Sequence, residues 1–152
     1  MILDHIGIVV PSLSEAMERW ETFFGYKRNS DVILNTRQKV RVVFLSKGDS
    51  LTIKLVEPSS PESPVFQAAH KGGGLHHLCF RCSALQTEIP VLQEKGANLI
   101  VAPQPGEAFN NHPIAFLLVG RNLNIELIDT WEKKGWGFKD EEECSELSAV
   151  LA

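Results

Sequence analysis

Four polar residues interrupt stretches of the chain that are otherwise apolar. They are His5, Lys54, His77 and Glu126. Two imidazoles and a carboxylate form a ligand set that holds a divalent metal and leaves positions open for substrate. A lysine beside a carboxylate forms a salt bridge, or it supplies positive charge to a reacting group. The four residues therefore predict a metal centre or a proton-transfer site, provided that the fold brings them together.

An internal repeat gives the reason to expect that they meet. Moving the sequence by 72 positions places it on itself without a gap, so that His5 falls on His77 and Lys54 falls on Glu126. The same offset matches Leu3 with Leu75, Leu13 with Leu85, Phe44 with Phe116, Gly48 with Gly120 and Ile53 with Ile125. Each copy is one supersecondary unit. Equivalent positions of the two copies are expected to converge on one pocket.

Apolar periodicity predicts the elements of each copy. A helix is expected over 13–24, because Ser12 and Glu15 form a capping box and Gly25 follows the apolar stripe. The second helix contains Pro90 and is expected to kink or to start late. Strands are expected at 4–10, 26–34, 40–47 and 50–57, and again at 76–82, 98–102, 113–119 and 122–129.

These elements predict an α+β fold. Two βαβββ repeats are expected to form one curved, half-open, barrel-like mixed sheet with the helices on its outer face. Alternate residues of a strand face opposite sides of the sheet, so Lys54 opposes Ile53 and Leu55. Glu126 opposes Ile125 in the same way. The polar residues are therefore expected on the concave side and their apolar neighbours under the helices.

The repeat also sets the expected domain organisation. One domain is expected over 1–129, with repeat one at 2–57, a linker at 58–73 and repeat two at 74–129. Residues 130–152 have no counterpart in the repeat and contain aromatic residues and an acidic run. We expect this tail to cover a sheet edge or a dimer interface.

Composition narrows the class of protein further. The 152 residues are 43% hydrophobic, which suffices for one compact core. The net charge of -4 and the lack of clustered Lys and Arg argue against a nucleic-acid partner. The sequence has no signal-peptide pattern and no apolar stretch of about 18 residues. We therefore expect no membrane partner and a cytoplasmic location.

Several short motifs resemble the vicinal oxygen chelate superfamily, which includes glyoxalase I, methylmalonyl-CoA epimerase, extradiol dioxygenases and bleomycin-resistance proteins. The likeness covers residues 2–129 and is closest to the epimerase branch. Its motifs are Asp4-His5-Ile6-Gly7-Ile8, Leu55-Val56-Glu57-Pro58 with Ser63-Pro64, Gly74-Leu75-His76-His77-Leu78, Glu94-Lys95-Gly96 and Ile125-Glu126-Leu127.

The resemblance implies a metal site with one unusual position. His5, His77 and Glu126 fall on the family's ligand positions for one divalent ion such as Zn, Co, Ni, Mn or Fe, and Glu126 also falls near the transferred proton. The remaining ligand position, usually Gln or Glu, is Lys54, whose ammonium has no lone pair to donate. At an effective dielectric of about 20 and a separation of roughly 4 Å, an ammonium repels a divalent ion by about 8 kcal/mol. Either Lys54 swings away or loses its proton and a metal binds, or no metal binds and Lys54 pairs with Glu126. In the metal-free case Lys54 acts as the catalytic cation, or the pair is a structural salt bridge.

A second departure from the epimerase branch concerns the catalytic base. That branch places another carboxylate on the strand corresponding to 38–45, where this chain has no acid. Glu107 is the candidate substitute, from a polar loop that also offers Asn110 and Asn111 for substrate binding. Arg81 is the candidate for holding a carboxylate or phosphate of the substrate.

Three functions follow as expectations. The leading one is a glyoxalase- or epimerase-like isomerase or lyase that removes a proton next to a carbonyl, with the enolate stabilised by a metal or by Lys54. The alternatives are a non-catalytic small-molecule binding protein of the bleomycin-resistance type and an extradiol-type dioxygenase. The expected partners are a small substrate, such as a CoA or glutathione thioester, and a second copy of the chain in a homodimer.

Overall fold

The computed structural model describes residues 1–137. Its strands are β1 (Ile2–Val9), β2 (Lys27–Arg28), β3 (Ile33–Asn35), β4 (Val40–Ser46), β5 (Thr52–Pro58), β6 (Gly74–Arg81), β7 (Asn98–Pro105), β8 (Pro113–Val119) and β9 (Leu123–Ile128). Its α-helices are α1 (Leu13–Phe24), α2 (Phe66–His70) and α3 (Leu85–Glu94), and a 3₁₀ turn covers Glu107–Phe109.

Over residues 1–137 the nine strands form one open, curved sheet. The strand order is β2-β4-β5-β1-β6-β9-β8-β7, and β3 also pairs with β4. Each repeat contains one parallel pair, β1 with β5 and β6 with β9. The two repeats meet where β1 pairs antiparallel with β6. The predicted α+β fold, two βαβββ repeats in one mixed sheet, is confirmed.

The register of the four central strands determines where the polar residues lie. Gly7 of β1 pairs with Lys54 on one side and with His77 on the other. The equivalent residue of β6, Cys79, pairs with His5 on one side and with Glu126 on the other. Lys54 and His77 therefore lie in one row across the sheet, and His5 and Glu126 lie in the neighbouring row.

The two main helices begin differently. Ser12 accepts a hydrogen bond from the Glu15 N–H at the start of α1, and Gly25 ends the helix with φ at 73°, as predicted. The N-cap residue of α3, Ala84, makes no side-chain hydrogen bond. The Asp129 carboxylate accepts from the Leu85 N–H at 3.4 Å, as Glu57 accepts from the Leu13 N–H in the first repeat. Pro90 lies within α3, so the helix does not start late.

Two core regions lie on opposite faces of the sheet. On the outer face, α1 and α3 each cover a separate apolar cluster, around Leu55 and Leu127 respectively. The concave face has its own cluster, which includes Phe44, Phe109 and Phe116. The histidines and the lysine of the central strands lie among these aromatic rings and are buried.

The strand expected at 26–34 is divided into β2 and β3. Between them, Ser30 Oγ accepts the N–H of Phe44 at 2.9 Å, so a side chain takes the place of a backbone ladder acceptor. The Asn29 N–H donates to the Phe44 carbonyl, which keeps the segment attached to β4. Side-chain competition for the backbone therefore explains why the run is broken.

The linker and the first part of the tail are ordered against the sheet. Helix α2 lies within the linker. In the tail, the Lys134 N–H donates to the Ala108 carbonyl, and the Trp136 ring packs edge-on against Phe44 at 6.2 Å. The rest of the tail, 138–152, lies outside the described residues. Among residues 1–137 no helix has the length and apolarity needed to cross a membrane.

Candidate active site

The Glu126 carboxylate is the centre of a buried cluster formed by the four central strands. His5 Nε2 and His77 Nε2 each lie 3.0 Å from Glu126 Oε2. Lys54 Nζ donates to both carboxylate oxygens at 3.2 Å. His5 and Glu126 are fully buried, and Lys54 and His77 are nearly so. The convergence predicted from the repeat is therefore present in the structure.

Gly7 makes room for the His77 imidazole. A Cβ atom at position 7 would lie 2.0 Å from His77 Cε1, which is far inside van der Waals contact. The glycine of the first strand motif therefore has a steric role. It lets the ring of one repeat lie close against the backbone of the other.

We expect Gly7→Ala to displace His77 and to lower the free energy of unfolding by about 1–3 kcal/mol, the usual cost of overpacking. Urea unfolding measures this cost. The control repeats the substitution in a His77→Ala background. There the space left by the ring is expected to make the loss in free energy of unfolding much smaller. An equal cost in both backgrounds would show that the ring is not the obstacle.

Burial sets the charge of His77, and Lys54 sets that of Glu126. Burial lowers the pKa of His77 to about 3, so its imidazole is neutral at neutral pH. Burial alone raises the pKa of the Glu126 carboxyl, but Lys54 and the hydrogen bonds from the two histidines hold it well below its usual range. The centre thus combines an ionised carboxylate, an ammonium and a neutral imidazole.

This pKa predicts acid sensitivity. In the unfolded chain His77 takes up a proton near pH 6.5, whereas in the folded chain it does so near 3. Between these values the unfolded chain binds more protons, so stability falls as pH falls. From pH 7 to pH 4 the expected loss from this group is about 3 kcal/mol. Urea unfolding at pH 7 and at pH 4 measures the stability lost on acidification. This loss should be about 3 kcal/mol smaller in His77→Gln than in the wild type, and an equal loss would contradict the lowered pKa of His77.

A cleft of 170 Å³ opens beside the cluster. Its polar lining consists of Gln38, Lys54, His76, His77 and Asn124. The remaining lining is apolar and comes from β4, β5, the linker, β7 and β8. Glu126 does not line the cleft and lies behind the lysine and the histidine. A larger, shallow depression of 570 Å³ at the end of α1 contains none of the cluster residues.

The cluster suits a divalent ion in spacing but not in charge. The two Nε2 atoms lie 3.3 Å apart and each is 3.0 Å from Glu126 Oε2. Two donors bound to one zinc ion at about 2.1 Å in tetrahedral geometry lie about 3.4 Å apart, so these three atoms match a face of a coordination shell. Lys54 Nζ, however, lies 3.2 Å from the same carboxylate, and an ammonium so close repels a divalent ion by several kcal/mol. The residues do not fit a divalent ion while Lys54 remains charged in this position.

The structure places the other predicted site residues away from the cleft. Glu107 accepts hydrogen bonds from the Thr36 N–H and hydroxyl at 2.7 and 2.6 Å. Asn110 donates to Glu132, and Asn111 is exposed. Arg81 forms a salt bridge with Asp4 at 2.5 Å. None of the four predicted residues Glu107, Asn110, Asn111 and Arg81 lines the described cleft.

The structure adds residues to the site that were not predicted from the sequence. Asp4 lies 2.8 Å from His5 Nδ1, and its position next to the histidine in the first motif was the available signal. Lys133 also contacts Asp4, at 3.0 Å, but it lies outside the repeat and no pattern pointed to it. Gln38 and Asn124 are cleft residues that strand alternation alone did not separate from the core.

Comparison with known proteins identifies the class. A family model of the Glyoxalase/Bleomycin resistance protein/Dioxygenase superfamily matches residues 4–116, and the chain belongs to this superfamily. The predicted family is therefore confirmed.

Two relatives match most of the chain, and one of them is an epimerase. The chain is 35% identical over 134 residues to the uncharacterized protein YqjC of Bacillus subtilis, covering 88% of this chain and 93% of that protein. It is 26% identical over 133 residues to the mitochondrial methylmalonyl-CoA epimerase of Dictyostelium discoideum, covering 86% and 78%.

Solved structures show the same fold. Methylmalonyl-CoA epimerase of Mycobacterium tuberculosis superposes with a TM-score of 0.74 at 27% identity, covering 84% of this chain and 86% of that one. A Streptomyces coelicolor methylmalonyl-CoA epimerase in complex with 2-nitronate-propionyl-CoA gives a TM-score of 0.73 at 25% identity, covering 85% and 96%.

Proposed function

We propose that this protein is an epimerase-like enzyme that removes a proton from the carbon next to a carbonyl group. The observation on which this rests is the buried Lys54–Glu126 pair with the neutral His77 beside it, opening into an apolar cleft. Removing such a proton creates two charges of opposite sign, one on the base and one on the enolate oxygen. A resident ion pair provides a counter-charge for each of them.

His77 is the base in this proposal. It lines the cleft, it is neutral at neutral pH, and its Nε2 lies 3.0 Å from the Glu126 carboxylate. Since Nε2 donates to Glu126, the imidazole takes the proton at Nδ1, where the substrate replaces the contact with His76 Nδ1, and Glu126 then stabilises the imidazolium. A carboxylate behind a basic histidine has this role in other proton-transfer sites. Glu126 thus acts through His77 and does not itself reach the substrate.

Lys54 stabilises the enolate. Its ammonium lines the cleft and is held near the carboxylate and the Phe109 ring, which lies 5.1 Å from Nζ. A substrate carbonyl oxygen beside this ammonium gains negative charge as the proton leaves, in a site from which the aromatic rings exclude water. Electrostatic stabilisation is strongest under these conditions.

The alternative predicted from the sequence is a divalent ion on His5, His77 and Glu126, which would bind the substrate oxygens and stabilise the same charge. That alternative requires the Lys54 ammonium to leave the carboxylate. Because the ammonium is already in place, we propose that Lys54 is the resident cation.

We propose an acyl-CoA thioester as the substrate. The support is the likeness to methylmalonyl-CoA epimerases and the apolar lining of the cleft, whose 170 Å³ suits a small acyl group. Glu107 is bound to Thr36, and no carboxylate lines the described cleft that could serve as a second base. The proposal is therefore confined to proton abstraction. The homodimer and the cytoplasmic location remain predictions.

Deuterium uptake in D₂O tests the proposed function. The protein is incubated with methylmalonyl-CoA, ethylmalonyl-CoA and propionyl-CoA, and with a matched glutathione thioester. NMR or mass spectrometry then measures deuterium at the carbon next to the thioester. We expect protein-dependent uptake with at least one CoA thioester, and its loss in His77→Gln.

Two results would overturn the proposal. Uptake only with the glutathione thioester would exclude the CoA substrate class. A raised melting temperature with a CoA thioester but no uptake would identify a non-catalytic binding protein, since ligands stabilise whatever they bind.

A further inference from the structure

Asp4 is a buried carboxylate with three nitrogen partners. Its oxygens lie 2.8 Å from His5 Nδ1, 2.5 Å from Arg81 Nη1 and 3.0 Å from Lys133 Nζ, and its side chain is 3% exposed. Two cations, Arg81 and Lys133, lie at salt-bridge distance from this carboxylate and hold it in its ionised form. Because an ionised carboxylate only accepts hydrogen bonds, His5 donates from Nδ1 to Asp4 and from Nε2 to Glu126 in this arrangement.

The repeat shows that this contact distinguishes the two histidines. The residue before His5 is Asp4, and the residue before His77 is His76. Each preceding residue contacts Nδ1 of its histidine at 2.8 Å. A carboxylate obliges Nδ1 to hold a proton, whereas another imidazole can donate to it. Equivalent histidines of the two repeats are thereby prepared for different roles.

Lys133 comes from outside the repeats, yet it is part of this buried network. Its side chain is 7% exposed, and its Nζ lies 5.6 Å from the centre of the Phe44 ring and 5.2 Å from that of Trp136. The backbone of its neighbour Lys134 is anchored to Ala108. The segment after repeat two thus brings a cation to the carboxylate that holds His5.

We infer that Asp4 is a positioning residue, held by Lys133, that fixes the His5 ring with Nδ1 protonated and Nε2 directed at Glu126. His77 remains the histidine that faces the cleft and takes up the proton. The inference rests on the proposed function for its effect on catalysis. Its structural content, the state of the His5 ring, does not depend on that function.

The test compares Asp4→Ala, Asp4→Asn, Lys133→Met and the matched control Lys134→Met, whose side chain is exposed. Histidine ring nitrogens are observed by ¹⁵N NMR, and His5 is assigned from its missing signal in His5→Gln. Deuterium uptake and melting temperatures are measured on the same variants.

We expect wild-type His5 Nδ1 to give the signal of a protonated nitrogen and to lose it in Asp4→Ala. The turnover rate of Asp4→Ala is expected to fall by roughly 10- to 100-fold with an unchanged KM, the range found for carboxylates that orient a metal-bound histidine. Asp4→Asn keeps an acceptor oxygen and should retain most of the rate and the Nδ1 signal. Lys133→Met should lower the turnover rate and weaken the His5 Nδ1 signal, and Lys134→Met should change neither the rate nor the signal.

An unaltered His5 Nδ1 signal in Asp4→Ala would overturn the inference, and so would identical behaviour of Lys133→Met and Lys134→Met. If Asp4→Ala does not fold, the His5 Nδ1 signals of Asp4→Asn and Lys133→Met provide the test of the role of Asp4. If no substrate exchanges deuterium, the proposed function fails while the NMR result still tests the role of Asp4.

Discussion

Replacing Glu126 by glutamine is expected to lower the free energy of unfolding by about 3–5 kcal/mol, the cost of leaving a buried charge without its partner. Glu126 is fully buried and is the carboxylate that Lys54, His5 and His77 share. Glutamine keeps the size of the side chain but removes the charge. For a domain of this length the melting temperature should fall by roughly 6–20 °C.

A double-mutant cycle isolates the cause of this loss. Lys54→Met/Glu126→Gln removes both charges and fills the space of the lysine, so we expect it to recover most of the lost stability. Lys71→Met, at an exposed lysine, serves as the control and should change stability by less than about 0.5 kcal/mol. Strictly additive losses at positions 54 and 126 would contradict the buried pair.

Replacing Lys54 by methionine is expected to lower the rate of deuterium uptake by about 10²–10³-fold, the usual cost of removing one group that stabilises an oxyanion. Methionine matches the length of the lysine stem and lacks its charge. The effect should appear in kcat, since the ammonium matters most when the enolate forms. Lys54→Arg retains the charge, so its rate of deuterium uptake should fall less than that of Lys54→Met.

The combination of both variants separates stability from catalysis. Lys54→Met/Glu126→Gln is expected to unfold near the wild-type temperature and to remain inactive in deuterium uptake. A stable double variant with wild-type uptake would show that the ion pair has no part in the reaction. Kinetics with the best thioester substrate provide the measurement.

The sequence contained enough to predict the centre of the site. The 72-residue offset pairs His5 with His77 and Lys54 with Glu126, and antiparallel pairing of β1 with β6 then brings equivalent residues together. Alternation along the strands determined which side of the sheet they face. Both rules follow from backbone geometry, so neither required knowledge of the side-chain packing.

The surroundings of the site depend on contacts that no local pattern encodes. Lys133 reaches Asp4 from a segment without a repeat partner. Glu107, expected as a base, is held by Thr36, 71 positions earlier in the chain. The break in the strand at Ser30 comes from a side-chain oxygen that competes with the ladder. Each depends on long-range packing, which a single sequence does not reveal.

In the proposed reaction Lys54 is the cation on which the site depends. The most direct test of this role is to treat the protein with a strong chelator, measure its divalent metal by elemental analysis, and then follow deuterium uptake by the best thioester. We predict an undiminished rate with far less than one divalent ion per chain. Uptake that is lost after chelation and restored by a stoichiometric divalent ion would show that a metal, and not Lys54, is the cation.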